Sequence, residues 1–397
     1  MEDHGTLTQL ALLLAAAFAG GALLQRLNQP VLVGYILVGF ILGPSALGIV
    51  HDEEQIKTLA ELGILLLLFI VGLELDLKKF APVYRAAIIV TLSQIVIALA
   101  AMFALGSFLE WPLARILLLG FALSLSSTAV AIKLLQDMGE LNTTLGRAAI
   151  GILIAQDIAV IPMLLIMGGM SGNGFNLLEI PKILLAIGFM ASLIVTLNRK
   201  PHWFARLMDM VPQESQTAVT ALAICFSAAA LSGLVGLSAA YGAFLAGLVI
   251  GNTAKRSAYE EHIKPIFEVL MMMFFLSIGL LIDLDFLSEK FWRVMALLGI
   301  AMMLKTIVNI TILRGLGFSR RNSLVMGATL GQIGEFSFVL AALGLSTGAI
   351  MPEGHKYVVS IIALSLVITP LWLYGIRRMN LLSRHNKRHR ETRTHGE

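Results

Sequence analysis

The sequence predicts an all-α polytopic membrane protein with about thirteen transmembrane helices, arranged as inverted-topology repeats with two broken crossing helices. Composition is the first reason, because 57% of the 397 residues are hydrophobic and only 14% are charged, whereas soluble domains carry about 25% charged residues. Apolar runs of about 20 residues, long enough to cross a bilayer as helices, recur along the chain. Related segments also recur in its two halves.

Charged residues or Gly and Pro clusters separate the candidate spans. The first span follows Glu2, Asp3 and His4 rather than basic residues, which predicts a retained helix and not a cleaved signal peptide. The spans lie near residues 6–26, 30–48, 56–75, 83–107, 113–135, 147–170, 180–198, 215–235, 238–252, 263–282, 291–313, 321–346 and 355–376.

An internal repeat sets the domain organisation. IVGLELDL at 70–77 matches SIGLLIDL at 277–284, so that Gly72 aligns with Gly279 and Asp76 with Asp283. The short, glycine-rich second and ninth spans match in the same way, and small residues there predict close helix packing. An odd number of spans separates the matching segments, so the halves have opposite orientations. The predicted units are a first repeat (1–178), a linker helix (179–213), a second repeat (214–378) and a basic cytoplasmic tail (379–397).

The fifth and twelfth spans are predicted to be the broken helices. Hydroxyl and glycine clusters weaken helices, and unwound backbone exposes carbonyls that can replace the water around a monovalent cation. A single Ser or Thr in a membrane helix more often bonds to its own backbone, but here several lie together. The residues concerned are Ser124, Ser126, Ser127 and Thr128 in the fifth span and Gly327, Gly331, Gln332, Gly334 and Glu335 in the twelfth.

Asp157 is the main candidate site residue. It stands beside Gln156 near the middle of the sixth span, in an otherwise uncharged stretch from 148 to 170. A carboxylate at the bilayer midplane costs roughly 2.5–3.5 kcal/mol, so we expect it to face water or a partner. There it can exchange a proton for a cation. The alternative is an Asp that merely ties two helices together.

Lys305 is a further ionisable residue inside a span. It either neutralises a carboxylate or props the broken helices, and the alternative is that it snorkels to an interface. The single cysteine, Cys225, excludes a disulfide framework and a thiolate metal cluster.

Orientation follows from the 29 Lys and Arg residues, most of which lie in alternate loops and in the tail. Basic residues concentrate on the cytoplasmic side, so the N-terminus is predicted outside and the C-terminus inside, in the cell's inner (plasma) membrane. The basic tail is interpreted as a topology anchor and not as a nucleic-acid-binding segment.

Several segments together resemble the membrane domain of Kef-type potassium/proton antiporters, in the monovalent cation/proton antiporter superfamily. They are GYILVGFILGP (34–44), LFIVGLELD (68–76), LSLSSTAVAI (123–132), AQDIAVIP (155–162), FFLSIGLLID (274–283) and GEFSFV (334–339). The resemblance covers residues 6–378. It implies a homodimer in which spans 4–6 and 11–13 form a mobile core and spans 1–3 and 8–10 a scaffold, with span 7 between them.

The resemblance also suggests a mechanism. The Gln-Asp pair, where sodium/proton relatives usually carry Asp-Asp or Asn-Asp, favours potassium and electroneutral exchange. Asp157 would bind a proton or a cation in turn, and Gln156 would supply a carbonyl or orient it. Ser126, Ser127 and Thr128 would line the site, Glu335 would offset helix ends or pair with Lys305, and Gln332 is a possible addition. Sodium/proton exchange is the nearest alternative, and no cofactor beyond the transported ions is expected.

Two other function classes remain open. A gated potassium channel would need a filter of repeated carbonyls, and no TVGYG-like segment occurs. An organic-anion symporter would favour positive helix ends over a lone carboxylate. Kef-type proteins commonly continue into a nucleotide-binding regulatory domain, and no G-x-G-x-x-G follows a strand pattern here. We therefore expect that domain to be absent from this chain, which is either truncated or in a subgroup lacking it.

Overall fold

The structure, a computed structural model, is helical apart from one short strand pair. It describes residues 3–27, 29–49, 53–75, 84–141, 143–171, 174–175, 180–199, 218–253 and 255–394. The predicted repeat residue Asp76 and the basic residues Lys78, Lys79, Lys200 and Arg206 lie outside these ranges.

The described residues form fifteen helices and two strands. The first eight helices are α1 (Asp3–Arg26), α2 (Val31–Leu42), α3 (Glu53–Glu74), α4 (Tyr84–Phe108), α5 (Leu113–Ser124), α6 (Thr128–Asp137), α7 (Thr144–Gly168) and α8 (Ile180–Arg199). The others are α9 (Ala218–Leu234), α10 (Ala239–Gly251), α11 (Arg256–Leu280), α12 (Leu284–Gly315), α13 (Arg320–Thr329), α14 (Phe336–Ser346) and α15 (Pro352–Thr394). Strands β1 (Met170–Ser171) and β2 (Gly174–Phe175) pair antiparallel between α7 and α8.

These helices give the thirteen predicted crossings, because α5 with α6 and α13 with α14 each form one broken span. Six segments in the described residues are long and apolar enough to cross a membrane, and shorter apolar helices accompany them. Large hydrophobic side chains are exposed on the outside, as expected of a surface in lipid. Examples are Phe18, Leu92, Leu185, Val219, Trp292 and Leu371. The fold prediction is confirmed.

Several helix ends differ from the hydropathy pattern. Helix α12 begins at Leu284, well before residue 291, because the Asp283 carboxylate accepts a hydrogen bond from the Phe286 N–H (2.9 Å) and caps the helix. Helix α11 begins at Arg256, and α15 continues through the basic tail to Thr394. Hydropathy locates the apolar part of a helix and not its polar ends.

Glycine contacts hold one group of helices, α1–α3 with α9–α11. A Cβ atom on Gly39 or Gly279 would lie 2.1 Å from a carbonyl oxygen of the facing helix, where α2 packs on α11. A Cβ atom on Gly72 or Gly247 would lie 2.3 or 1.9 Å from such an oxygen, where α3 packs on α10. The repeat relates Gly39 to Gly247 and Gly279 to Gly72, so the two helix pairs are equivalent. We call these two pairs the glycine contacts.

The second group contains α4–α7 and α12–α15. Helix α8 lies between the groups, since it packs on α7, and the Tyr241 hydroxyl of α10 donates to the Ala186 carbonyl of α8 (2.7 Å). Cys225 is buried in the first group among α3, α9 and α10.

Candidate functional site

The two helix breaks meet inside the second group. Helix α5 ends at Ser124 and α6 begins at Thr128, while α13 ends at Thr329 and α14 begins at Phe336. The Gly334 N–H donates to the Leu125 carbonyl across the breaks (3.1 Å). A Cβ atom on Gly334 would lie 2.7 Å from the Ser126 backbone, so only glycine permits this approach. We call this meeting point the crossing.

Local sequence explains the break between α5 and α6. Leu125 is extended and ends α5, and the Ser127 hydroxyl accepts from the Val130 N–H (3.3 Å) to cap α6. The N-termini of α6 and α14 carry partial positive charge and the C-termini of α5 and α13 partial negative charge. The crossing therefore gathers four helix ends within the apolar part of the protein.

Asp157 lies on α7 beside the crossing, with 9% of its surface exposed. The Thr128 hydroxyl donates to its Oδ2 atom (3.1 Å). Of the three hydroxyl residues predicted to line the site, Thr128 is the one that hydrogen-bonds to the Asp157 carboxylate.

Gln156 holds α7 to the breaks through a closed ring of hydrogen bonds. Its Oε1 atom accepts from the Ser126 N–H (3.0 Å), and its Nε2 atom donates to the Gln94 Oε1 atom (2.7 Å). Gln94 donates to Asn309 (2.6 Å), and Asn309 donates to the Leu330 carbonyl (3.2 Å). The Ser126 hydroxyl donates to the same carbonyl (2.8 Å) and closes the ring. We call it the amide ring.

The Gln156 Nε2 atom has a second partner, since it also donates to the Ser124 carbonyl at the end of α5 (3.2 Å). Both amide hydrogens are thus in use. Gln156 therefore positions the crossing. Its amide group donates two hydrogen bonds and accepts one, which a carboxylate or a hydroxyl cannot do.

Gln332 and Glu335 supply buried oxygen atoms at the crossing. Gln332 donates from Nε2 to the Ser127 carbonyl (3.2 Å), whereas its Oε1 atom is buried and accepts no hydrogen bond from the described residues. The Oε2 atom of Glu335 is also buried and likewise has no hydrogen-bond partner among the described residues. The Glu335 carboxyl stands at the start of α14 and faces Ser127 and the N–H of Ala129, near two positive helix ends.

Lys305 is buried and does not snorkel. Its ammonium donates to the Leu125 carbonyl, at the negative end of α5. Among the described residues Lys305 forms no ion pair with Glu335. Of the two roles predicted for Glu335, this geometry is consistent with offsetting the charge of helix ends and not with pairing to Lys305.

Two residues that hold the crossing beside Asp157 were missed in the sequence. Gln94 and Asn309 are the other two amide side chains of the ring, and each is a buried polar residue within an apolar span. The intramembrane argument used for Asp157 would have found them.

Comparison with known families gives one match across most of the chain. The model described as sodium/hydrogen exchanger, transmembrane, matches residues 13–376.

Among curated relatives, the iron transporter MagA of Paramagnetospirillum magneticum (strain ATCC 700264 / AMB-1) is 39% identical, over 99% of this chain and 92% of its own length. K(+) efflux antiporter 6 of Arabidopsis thaliana is 33% identical over 93% of this chain. The chain spans 63% of that plant protein's length. The Na(+)/H(+)-K(+) antiporter GerN of Bacillus cereus is 29% identical over 91% of the chain and 94% of its own length.

Among solved structures, the sodium proton antiporter MjNhaP1 of Methanocaldococcus jannaschii at pH 8 aligns with a TM-score of 0.74. The alignment covers 95% of this chain and 98% of that one, at 17% identity. At this identity the likeness concerns the fold.

Proposed function

The chain belongs to the sodium/hydrogen exchanger family of transmembrane proteins, and we propose that this cation/proton antiporter exchanges potassium for protons at Asp157. The direction proposed is potassium efflux. The observation that carries the proposal is a buried carboxylate beside the crossing of two broken helices, to which the Thr128 hydroxyl donates a hydrogen bond.

Competition at one carboxylate is sufficient for exchange. A bound cation and a proton both need the Asp157 carboxylate, and each is disfavoured by the presence of the other. A protein that changes its access only when this group is occupied then moves the two ions in opposite directions. One cation for one proton leaves the net charge of the site unchanged, so the proposed exchange is electroneutral.

Oxygen atoms for a dehydrated cation are available around Asp157. We propose that the ion takes the Asp157 carboxylate and the Thr128 hydroxyl, with the unused Oε1 atom of Gln332 and the Glu335 carboxyl as neighbouring acceptors. Oxygen ligands suit hard cations. Gln156, Ser126 and Ser127 would hold the crossing in place, and Lys305 would compensate the negative end of α5.

Potassium is favoured over sodium by the Gln156–Asp157 pair and by the names of the plant relatives. Sodium/proton exchange is the second candidate, because the 29%-identical GerN is named for sodium and potassium alike. One relative is named an iron transporter, so a transport assay must also include iron.

The proposed cycle is alternating access. Helices α4–α7 and α12–α15 would move against a scaffold of α1–α3 and α9–α11, which would also form a homodimer surface, and α8 would connect them. We place the protein in the cell's inner membrane with its N-terminus outside and C-terminus in the cytoplasm, since basic residues concentrate on one side. Membrane potential acts at about 2.3 kcal/mol per charge per 100 mV, so voltage should not drive an electroneutral cycle.

The test is proton movement in proteoliposomes carrying an internal pH dye. An imposed pH gradient should collapse on addition of K⁺ or Rb⁺, less on addition of Na⁺ or Li⁺, and not on addition of Fe²⁺. A solid-supported membrane should record no sustained current. A stronger response to Na⁺ than to K⁺ would replace the potassium assignment with the sodium one, and cation flux without proton movement would overturn antiport altogether.

A further inference from the structure

A cavity of about 590 Å³ lies between α4, α5, α12 and α15, away from Asp157. Its floor includes Leu123 at the end of α5, Leu304 on α12 and Ile333 in the second break. Its walls are apolar, and they include Leu105, Leu119, Leu297, Ile300, Ile361 and Ile362. The cavity therefore runs from one end of these helices to the crossing along apolar surface.

The cavity is open at the outer surface of these helices. Several wall residues are well exposed, among them Ile300 at 63% and Met351 at 69%. An apolar space at membrane depth with an open side offers water no hydrogen-bond partners. Its occupant should come from the hydrocarbon region of the membrane.

The mouth of the cavity differs from its walls. Arg115 and Arg293 line it, with Glu353 as the one acidic residue in the lining. The Arg115 guanidinium lies 5.8 Å from the centre of the Trp111 ring, and Tyr357 stands nearby on the same rim. Among the described residues neither arginine forms a salt bridge. Aromatic and basic side chains at a helix end mark the level of lipid headgroups.

We propose that this cavity binds one phospholipid with an anionic headgroup. Its acyl chains would lie against the apolar walls, and its phosphate would lie between Arg115 and Arg293. The lipid would come from the leaflet at the starts of α5 and α12, which is the outer leaflet in the proposed topology. Apolar depth and a net positive mouth together fit an anionic amphiphile better than a neutral one.

The lipid would touch the transport machinery through the cavity floor. Leu123 and Leu304 also line a smaller cavity of about 20 Å³, whose other walls include Gln94, Lys305 and Asn309. A chain that fills the larger cavity would thus pack against the residues that hold the crossing. Lipid occupancy should raise the thermal stability of the purified protein.

Native mass spectrometry of the purified full chain tests the proposal, with phosphatidylglycerol or phosphatidylcholine added. Wild-type protein should retain one phosphatidylglycerol, at least about tenfold more tightly than phosphatidylcholine. Arg115→Ala and Arg293→Ala should each weaken retention about fivefold, and the double variant about 25-fold. Arg314→Ala is the matched control, because Arg314 lies on the same helix α12 at its opposite end.

A second variant tests the apolar part alone. Ala301→Phe fills the cavity from its wall without altering either arginine, and it should abolish phosphatidylglycerol retention. Equal retention of the two lipids, equal weakening by Arg314→Ala and Arg293→Ala, or full retention by Ala301→Phe would each overturn the proposal. None of these outcomes bears on proton exchange at Asp157.

Discussion

The glycine contacts and the crossing are both close approaches of backbone to backbone, but they are held in different ways. At Gly39 and Gly247 no side chain intervenes, and the facing helices touch through carbonyl oxygens. At the crossing the helices are interrupted, and the freed backbone groups bond to side chains such as Ser126 and Gln156. The first arrangement leaves intact helices in contact, and the second leaves polar groups inside the membrane.

The glycine contacts suit a packing role, whereas the crossing suits ion binding and exchange. Intact helices satisfy their own backbone hydrogen bonds, so the glycine contacts need only van der Waals packing. Broken helices require replacement partners, and these bring Asp157 and Thr128 into the same polar region. Substitutions at the glycine contacts should therefore impair folding, whereas substitutions at the crossing should impair transport.

The largest effect is expected at the crossing, from Asp157→Asn. The amide can still accept the Thr128 hydroxyl bond but cannot exchange a proton for a cation, so exchange should fall to the level of empty liposomes while the protein remains folded. Dye-loaded proteoliposomes measure this. Asp137→Asn is the control, because Asp137 is exposed and pairs with Lys133 on the surface of α6. Residual cation-coupled exchange in Asp157→Asn would remove Asp157 from its proposed role.

Gly247→Ala tests the glycine contacts. Its Cβ atom would lie 1.9 Å from the Phe69 carbonyl oxygen, so α3 and α10 must separate, at a cost of roughly 1–3 kcal/mol or more. The melting temperature in detergent should fall. Gly299→Ala, where nothing lies within 4 Å of the added atom, should leave it unchanged or slightly raised. Similar melting temperatures for the two variants would contradict the proposed packing role.

Gln156→Glu tests the amide ring, because it keeps the side chain's shape and removes its hydrogen-bond donors. The carboxylate would face two acceptors, the Gln94 Oε1 atom and the Ser124 carbonyl, and it has no hydrogen to donate to either. Losing donors to buried acceptors costs about 1–3 kcal/mol, and the pH profile of exchange should shift because a second acid adjoins Asp157.

Gln136→Glu is the control for this change, since Gln136 is exposed on α6. Melting curves and the pH profile of exchange measure the two effects. If Gln156→Glu left both unchanged, the amide ring would not be what holds the crossing.

The smallest effect is expected at Asp283, which lies outside both regions. The Lys356 ammonium (2.5 Å) and the Phe286 N–H hold the pKa of this carboxyl below its ordinary value. The ionised form is therefore favoured by folding, so the stabilisation is present above pH about 4 and is lost as pH falls further.

Asp283→Asn should lower stability by less than about 1 kcal/mol at pH 7, because the pair is partly exposed to solvent. The difference from wild type should shrink as pH falls below about 4 and the carboxyl becomes protonated. Melting temperatures across this pH range measure it. A difference that grows with acidity would show that the pKa has been assigned the wrong direction.

The sequence by itself predicted the thirteen crossings, which the structure confirms, and it led to the proposed repeat and the proposed exchange residue. Apolar runs of bilayer length dictate helices because lipid offers the backbone no hydrogen bonds, and a lone Asp157 among apolar residues is too costly to lack a partner. Glycines at repeated positions predicted the helix contacts that Gly39 and Gly247 make. Each of these inferences depends on local chemistry.

Tertiary structure decided which polar groups meet. Gln94, Asn309 and Leu330 are distant in sequence from Gln156, so their ring of hydrogen bonds exists only once α4, α7, α12 and the breaks pack together. The same packing placed Lys305 against the end of α5 and not against Glu335. A sequence gives the cost of burying a polar side chain, whereas its partner is set by the relative positions of helices far apart in the chain.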